Sequence, residues 1–79
     1  MKVRIRLIAT YRALLPPGTQ GSTVEIELPP NSSVADALTR FDVPLGPESV
    51  ILVNGLTASP DERLHANDEI AAFSAVAGG

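Results

Sequence analysis

Few side chains in this sequence could do chemistry unaided. It contains one histidine and no cysteine. A single imidazole with no second ligand and no orienting partner is neither a metal site nor half of a nucleophile–base couple. His65, between Leu64 and Ala66, therefore reads as a solvated turn residue. Asp61-Glu62 and Asp68-Glu69 are adjacent carboxylates in turn sequences, which reads as solvated charge and not as an acid–base couple whose environments push two pKa values apart. Glu25 and Glu27 fall on the outer face of a strand. There is no glycine-rich phosphate loop and no metal-ligand spacing, so neither a cofactor nor a metal is expected. What remains is the run Val76-Ala77-Gly78-Gly79. Two glycines without Cβ atoms make a thin strip that can enter a narrow channel, where a terminal carboxylate could be activated by another enzyme. Taken by itself, the pair is equally compatible with a frayed end or a cloning remnant.

Such a terminus needs a scaffold. Seventy-nine residues suffice for one small domain, expected to span 1–79 with a flexible tail over 76–79. The hydrophobic fraction is 44% but the aromatic fraction only 4%, so the core must be built from Val, Ile, Leu and Ala. A net charge of −3 argues against nucleic acid, whose phosphates demand a basic patch, and weakly against an anionic membrane surface. Arg4 and Arg6 interrupt the apolar run that a secretory signal needs, and no window approaches the ~18 apolar residues of a membrane span. The expected setting is the cytoplasm.

Alternation with period two marks residues 2–8 and 22–28 as strands. Val3, Ile5 and Leu7 face one way and Lys2, Arg4 and Arg6 the other; Val24, Ile26 and Leu28 face in, with Thr23, Glu25 and Glu27 out. Basic and acidic outer rows favour antiparallel pairing, with Tyr11–Gly21 as the loop and a short helical turn over 10–15. Ser33 and Asp36 form a capping-box variant opening a helix over 33–42, with Val34, Ala37, Leu38 and Phe41 as its apolar stripe. The helix is expected to close at Asp42-Val43-Pro44. Val50–Val53 reads as a buried strand, Asn54-Gly55 as a hairpin turn, Leu56–Ala58 as a short return strand and Ile70–Ala75 as the last strand. The order β-β-α-β-β-β predicts an α+β fold, one helix covering one face of a mostly antiparallel sheet. Val3, Ile5, Leu7, Val24, Ile26, Leu28, Val34, Leu38 and Phe41 are the expected core.

Val53-Asn54-Gly55, then Leu64 with Asn67-Asp68-Glu69-Ile70-Ala71-Ala72-Phe73, then Val76-Ala77-Gly78-Gly79 together resemble the MoaD/ThiS family of ubiquitin-like sulfur carriers. The resemblance covers essentially the whole chain. It implies a β-grasp fold, a mixed sheet with one main helix on one face, and agrees with the element order read from periodicity. Asn67 stands where the family usually has Gly, a change tolerated because both residues accept positive φ. Prolines common in the family near Ser74 and Ala75 are missing.

The resemblance further implies a carrier and not an enzyme. A MoeB/ThiF-type activating enzyme would adenylate Gly79, and a sulfur donor would convert it to a thiocarboxylate, with Gly78 keeping the approach slim. Phe73, Val76 and Ala77 would contact partners, among them a MoaE-type large subunit of molybdopterin synthase. Phe73 has two readings, core or interface; exposed beside Val53 or Leu56, it would form an apolar patch. The Tyr11–Leu15 turn resembles the MoaD type, pointing to molybdenum or tungsten cofactor synthesis. A carrier for thiamine thiazole or another thio-metabolite, a ubiquitin-like modifier conjugated through Gly79, and a β-grasp interaction domain remain as alternatives.

Overall fold

In β1 (Lys2–Leu7) every second side chain is buried, and Val3, Ile5 and Leu7 are wholly so. β2 (Thr23–Glu27) runs antiparallel to it and sets Glu27 opposite Lys2 and Glu25 opposite Arg4, the arrangement that the charge pattern predicts. This computed structural model describes residues 1–76. A 3-10 helical segment, Ala9–Leu14, follows β1 and turns Tyr11 into the core. β3 (Ser49–Val53), β4 (Leu56–Thr57) and β5 (Glu69–Ser74) complete a five-stranded sheet in the order β2-β1-β5-β3-β4. β5 is parallel to β1; the other pairs are antiparallel. With one helix over one face, this is the α+β β-grasp fold.

The helix departs from the expected 33–42 span. Ser33 caps it through reciprocal bonds: its hydroxyl accepts from the Asp36 N–H at 3.1 Å, and the Asp36 carboxylate accepts from the Ser33 N–H at 2.9 Å. Only Val34–Leu38 is α-helical (α1); Thr39–Phe41 tightens to 3-10 geometry. The cause is a left-handed Asp42, φ 59°, which lets the Asp42 N–H reach Thr39 O at 3.2 Å and the Val43 N–H reach Leu38 O at 3.3 Å. The stop therefore comes from a C-terminal cap and does not wait for Pro44. At the other end, the first-turn N–H groups of Val34 and Ala35 donate to Glu62 O and Pro60 O, and the Leu64 N–H donates to Ser32 O. This ties the 60–64 segment to the helix and buries Leu64, which the sequence reads as part of a turn.

The core holds seven of the nine expected residues. Val24 and Ile26 are corrected to half-buried, because β2 is an edge strand and no strand among the described residues lies beyond it. Tyr11, Leu15, Val43, Ile51 and Ile70 join the core.

Leu38 is fully buried. Leu38→Ala is expected to lower the free energy of unfolding by about 2–5 kcal/mol, read from urea denaturation. Asp36 is held below the usual carboxylate range, first by the Ser33 backbone N–H and then by the Ser33 hydroxyl. Its folded-state pKa is thus below its unfolded value of 3.8, so its contribution is present above that value and lost as pH falls through the folded pKa. Acid titration of stability should show a fall below about pH 4 that is smaller in Asp36→Asn.

Candidate functional site

The register of β5 is fixed before the strand begins. Asn54 and Gly55, φ 52° and 86°, make the tight turn between β3 and β4. Both positions need positive φ, which glycine adopts freely and asparagine tolerates. Asn54 also reaches across to β5. Its Nδ2 donates to Asp68 Oδ1 at 2.9 Å, its Oδ1 accepts from the Glu69 N–H at 3.0 Å, and its own N–H donates to Glu69 O at 2.8 Å. Asn67 sits at φ 71°, the left-handed position expected of it. Its N–H donates to Lys2 O, while the Arg4 N–H donates to Asp68 O, so the same turn is hooked to β1. Asp68 Oδ2 accepts from the His65 N–H at 2.8 Å, and the His65 side chain stays 85% exposed, solvated as its context predicts.

Thus placed, β5 lies between β1 and β3 and alternates its side chains. Ile70 and Ala72 enter the core; Ala71 and Phe73 face the opposite, helix-free side. Phe73 lies opposite Val50, and Ala71 opposite Leu52. Beside Ala71 on β1 is Arg6, whose guanidinium has no partner among the described residues. Phe73 is half-buried in this row. Its expected neighbours Val53 and Leu56 are corrected: they pair with one another, and Val53 packs against the core from the other face. Reading Val50–Val53 as a continuous buried run hid this, since it has the alternation of a strand with one open face.

At the far end of β5, the Ala75 N–H donates to Glu48 O at 2.8 Å and the Val76 N–H to Ser74 Oγ at 3.2 Å. Val76 is 59% exposed. Ser49, the register partner of Ser74, stands 2.6 Å through its Oγ from the hydroxyl of buried Tyr11. Sequence reasoning missed this link from the β1 loop to the end of β5; the signal was the sole tyrosine of the sequence, set in the short helical turn after β1. Ala77, Gly78 and Gly79 lie outside the described residues. Among the described residues no three metal-binding side chains gather.

The ThiS family model matches residues 5–79, nearly the whole chain and including both terminal glycines. The chain belongs to the ThiS family. It is similar to the crystal structure of SAMP1 from Haloferax volcanii, with 26% identity, all of both chains covered and a TM-score of 0.79. A second structure, of H. volcanii small archaeal modifier protein 1, matches with 25% identity over 95% of this chain and 98% of that one, TM-score 0.77. A Pyrococcus furiosus protein described as molybdopterin converting factor, subunit 1, matches at 28% identity over the same shares, TM-score 0.76. No curated relative matches. This ThiS-family chain is accordingly a ubiquitin-like β-grasp protein of the MoaD/ThiS type, a family of small carriers and modifiers whose members work with activating enzymes and MoaE-type partners. Among the described residues, no helix is long and apolar enough to cross a membrane.

Asn54→Ala removes two side-chain bonds and strains a positive φ, and is expected to cost about 1–3 kcal/mol. Asn54→Gly keeps the turn and loses only the bonds. Both variants should speed hydrogen exchange at the Glu69 amide, with Asn54→Ala the less stable of the two.

Proposed function

We propose that this protein is a sulfur carrier acting through Gly79. The reading takes the chain as one β-grasp domain over 1–79, with residues 76–79 as the tail presented to partner enzymes. A MoeB/ThiF-type enzyme binds the tail and ATP. A Gly79 carboxylate oxygen attacks the α-phosphorus, pyrophosphate leaves, and an acyl-adenylate forms. The terminal sulfur of a donor persulfide attacks the Gly79 carbonyl carbon, expelling AMP. A donor thiol then cleaves the S–S bond, leaving a thiocarboxylate on Gly79 and a disulfide on the donor. The chain has no cysteine, so its cargo sulfur has no other covalent seat. It supplies no acid, base or cofactor to these steps; its work is presentation and docking, with Gly78 and Ala77 as the slim approach.

The observation that carries the reading is the family match running through Gly79. The 3-10 turn around Tyr11 and the likeness to the P. furiosus protein favour delivery to molybdopterin, with a MoaE-type subunit as recipient in the cytoplasm. For docking, Phe73, Val50 and Leu52 supply the apolar centre and Arg6 a charged margin, with Val76 at the base of the tail. A second reading, conjugation through Gly79 as a protein modifier, is favoured by the likeness to small archaeal modifier protein 1. Both begin with the same adenylation.

ATP–pyrophosphate exchange with the activating enzyme tests that step. The wild-type chain should support exchange. Deletion of Gly79 should abolish it without changing the circular dichroism spectrum, and Phe73→Ala should weaken binding by about tenfold or more while the chain remains folded. Normal exchange with the Gly79-deleted chain would overturn the proposal. Unfolding of Phe73→Ala would make that residue a core element instead.

A further inference from the structure

The two sheet edges differ. At one end β4 is only Leu56–Thr57 and is followed by Pro60, so it offers little to pair with. At the other, β2 runs five residues without proline or glycine. The ladder it forms with β1 fixes where its free groups lie. Leu28 N–H donates to Met1 O at 2.8 Å and Leu7 N–H to Ser22 O at 3.0 Å, so 1–28 and 7–22 are hydrogen-bonded pairs. Antiparallel pairs alternate, which makes 3–26 and 5–24 hydrogen-bonded as well and leaves Thr23, Glu25 and Glu27 with N–H and C=O pointing away from β1. The Arg4 N–H, correspondingly, points away from β2 to Asp68 O. No described residue takes up the outward groups of β2.

The side chains along this edge select an occupant. Val24 and Ile26 are half-buried on the helix side, and Glu25 and Glu27 are exposed on the open side. Across the ladder from Glu25, Arg4 directs its Nε to Glu69, 3.6 Å away, so Glu25 has no ion pair among the described residues. Glu27 Oε2 lies 3.5 Å from the Met1 nitrogen but is 71% exposed. A second copy of β2 laid along the edge would set glutamates against glutamates, which opposes self-pairing. A strand with Lys or Arg opposite Glu25 and Glu27, and branched aliphatics opposite Val24 and Ile26, would match both faces. β1 has that pattern and already occupies the inner side.

We infer that the outer edge of β2 is a docking site for an extended segment of a partner protein in which basic and branched aliphatic residues alternate. The segment adds a sixth strand: its backbone pairs with Thr23, Glu25 and Glu27, its basic side chains meet the two glutamates, and its aliphatic side chains cover the outer flanks of Val24 and Ile26. The site is two strands from β5, so it needs nothing from the tail.

The probe is the blocked peptide acetyl-Lys-Val-Lys-Ile-Lys-Val-Lys-amide, with the glutamate-for-lysine peptide as control, titrated into the full-length protein and followed by amide NMR and hydrogen exchange. The basic peptide should slow exchange at the Thr23, Glu25 and Glu27 amides by about tenfold at saturation, and the acidic peptide should leave them unchanged. Glu25→Pro deletes an outward N–H without touching the β1 ladder and should abolish protection. Glu25→Lys should weaken the basic peptide by about fivefold and improve the acidic one. Shifts without slowed exchange on β2, or full protection in Glu25→Pro, would overturn the inference by leaving only loose attraction to an acidic surface. So would a Glu25→Lys chain that binds each peptide as the wild type does.

Discussion

β5 follows the other four strands in sequence but lies third in the sheet, and most of the architecture depends on that insertion. It pairs parallel to β1 on one side and antiparallel to β3 on the other. A parallel pair cannot be made by a tight turn, so β1 and β5 must be joined through a long crossover, here containing the helix and the β3–β4 hairpin. Until β5 enters, β1–β2 and β3–β4 are separate ribbons, each marginal in water. Ile70 and Ala72 then complete a core with almost no aromatic residues, and whatever follows Val76 starts from mid-sheet, beside the open face that carries Phe73.

Charge contributes to this arrangement mainly as register. Lys2 opposite Glu27, and Arg4 between Glu25 and Glu69, form an alternating row on the open face. Exposed pairs of this kind add little stability. A one-residue slip of β2 or β5 would, however, bury charge and expose Ile or Val, so the row and the aliphatic alternation specify the same pairing. Asn54 does for β5 what those charges do for β1 and β2: it converts one hairpin turn into a clamp on the next strand's first residue.

β1, β2 and the Asn54-Gly55 turn were legible because period-two alternation and turn chemistry are local signals. The terminal motif was legible only as a resemblance, since glycine carries no pattern of its own. What escaped was non-local. Val24 and Ile26 have core spacing, but an edge position halves their burial. Leu64 sits in a turn-like stretch and is buried because that stretch is pinned to the helix N-terminus. Nothing in residues 50–53 announces that Val50 and Leu52 face Phe73 and Ala71, because that depends on which strand lies next to β3. Asp42 could have been read as a left-handed cap, yet the neighbouring Pro44 gave a simpler and incorrect reason for the helix to stop.

The proposed chemistry rests on one atom exchange at one residue. The direct measurement is the mass of the C-terminal peptide, released by proteolysis from protein recovered out of cells that contain its native partners. A sulfur carrier predicts a fraction of that peptide in which one Gly79 carboxylate oxygen is replaced by sulfur, lost after alkylation-sensitive workup and absent when the activating enzyme is deleted. Peptide found only as free carboxylate and as isopeptide-linked conjugates on lysines of other proteins would contradict the carrier reading and establish the modifier in its place.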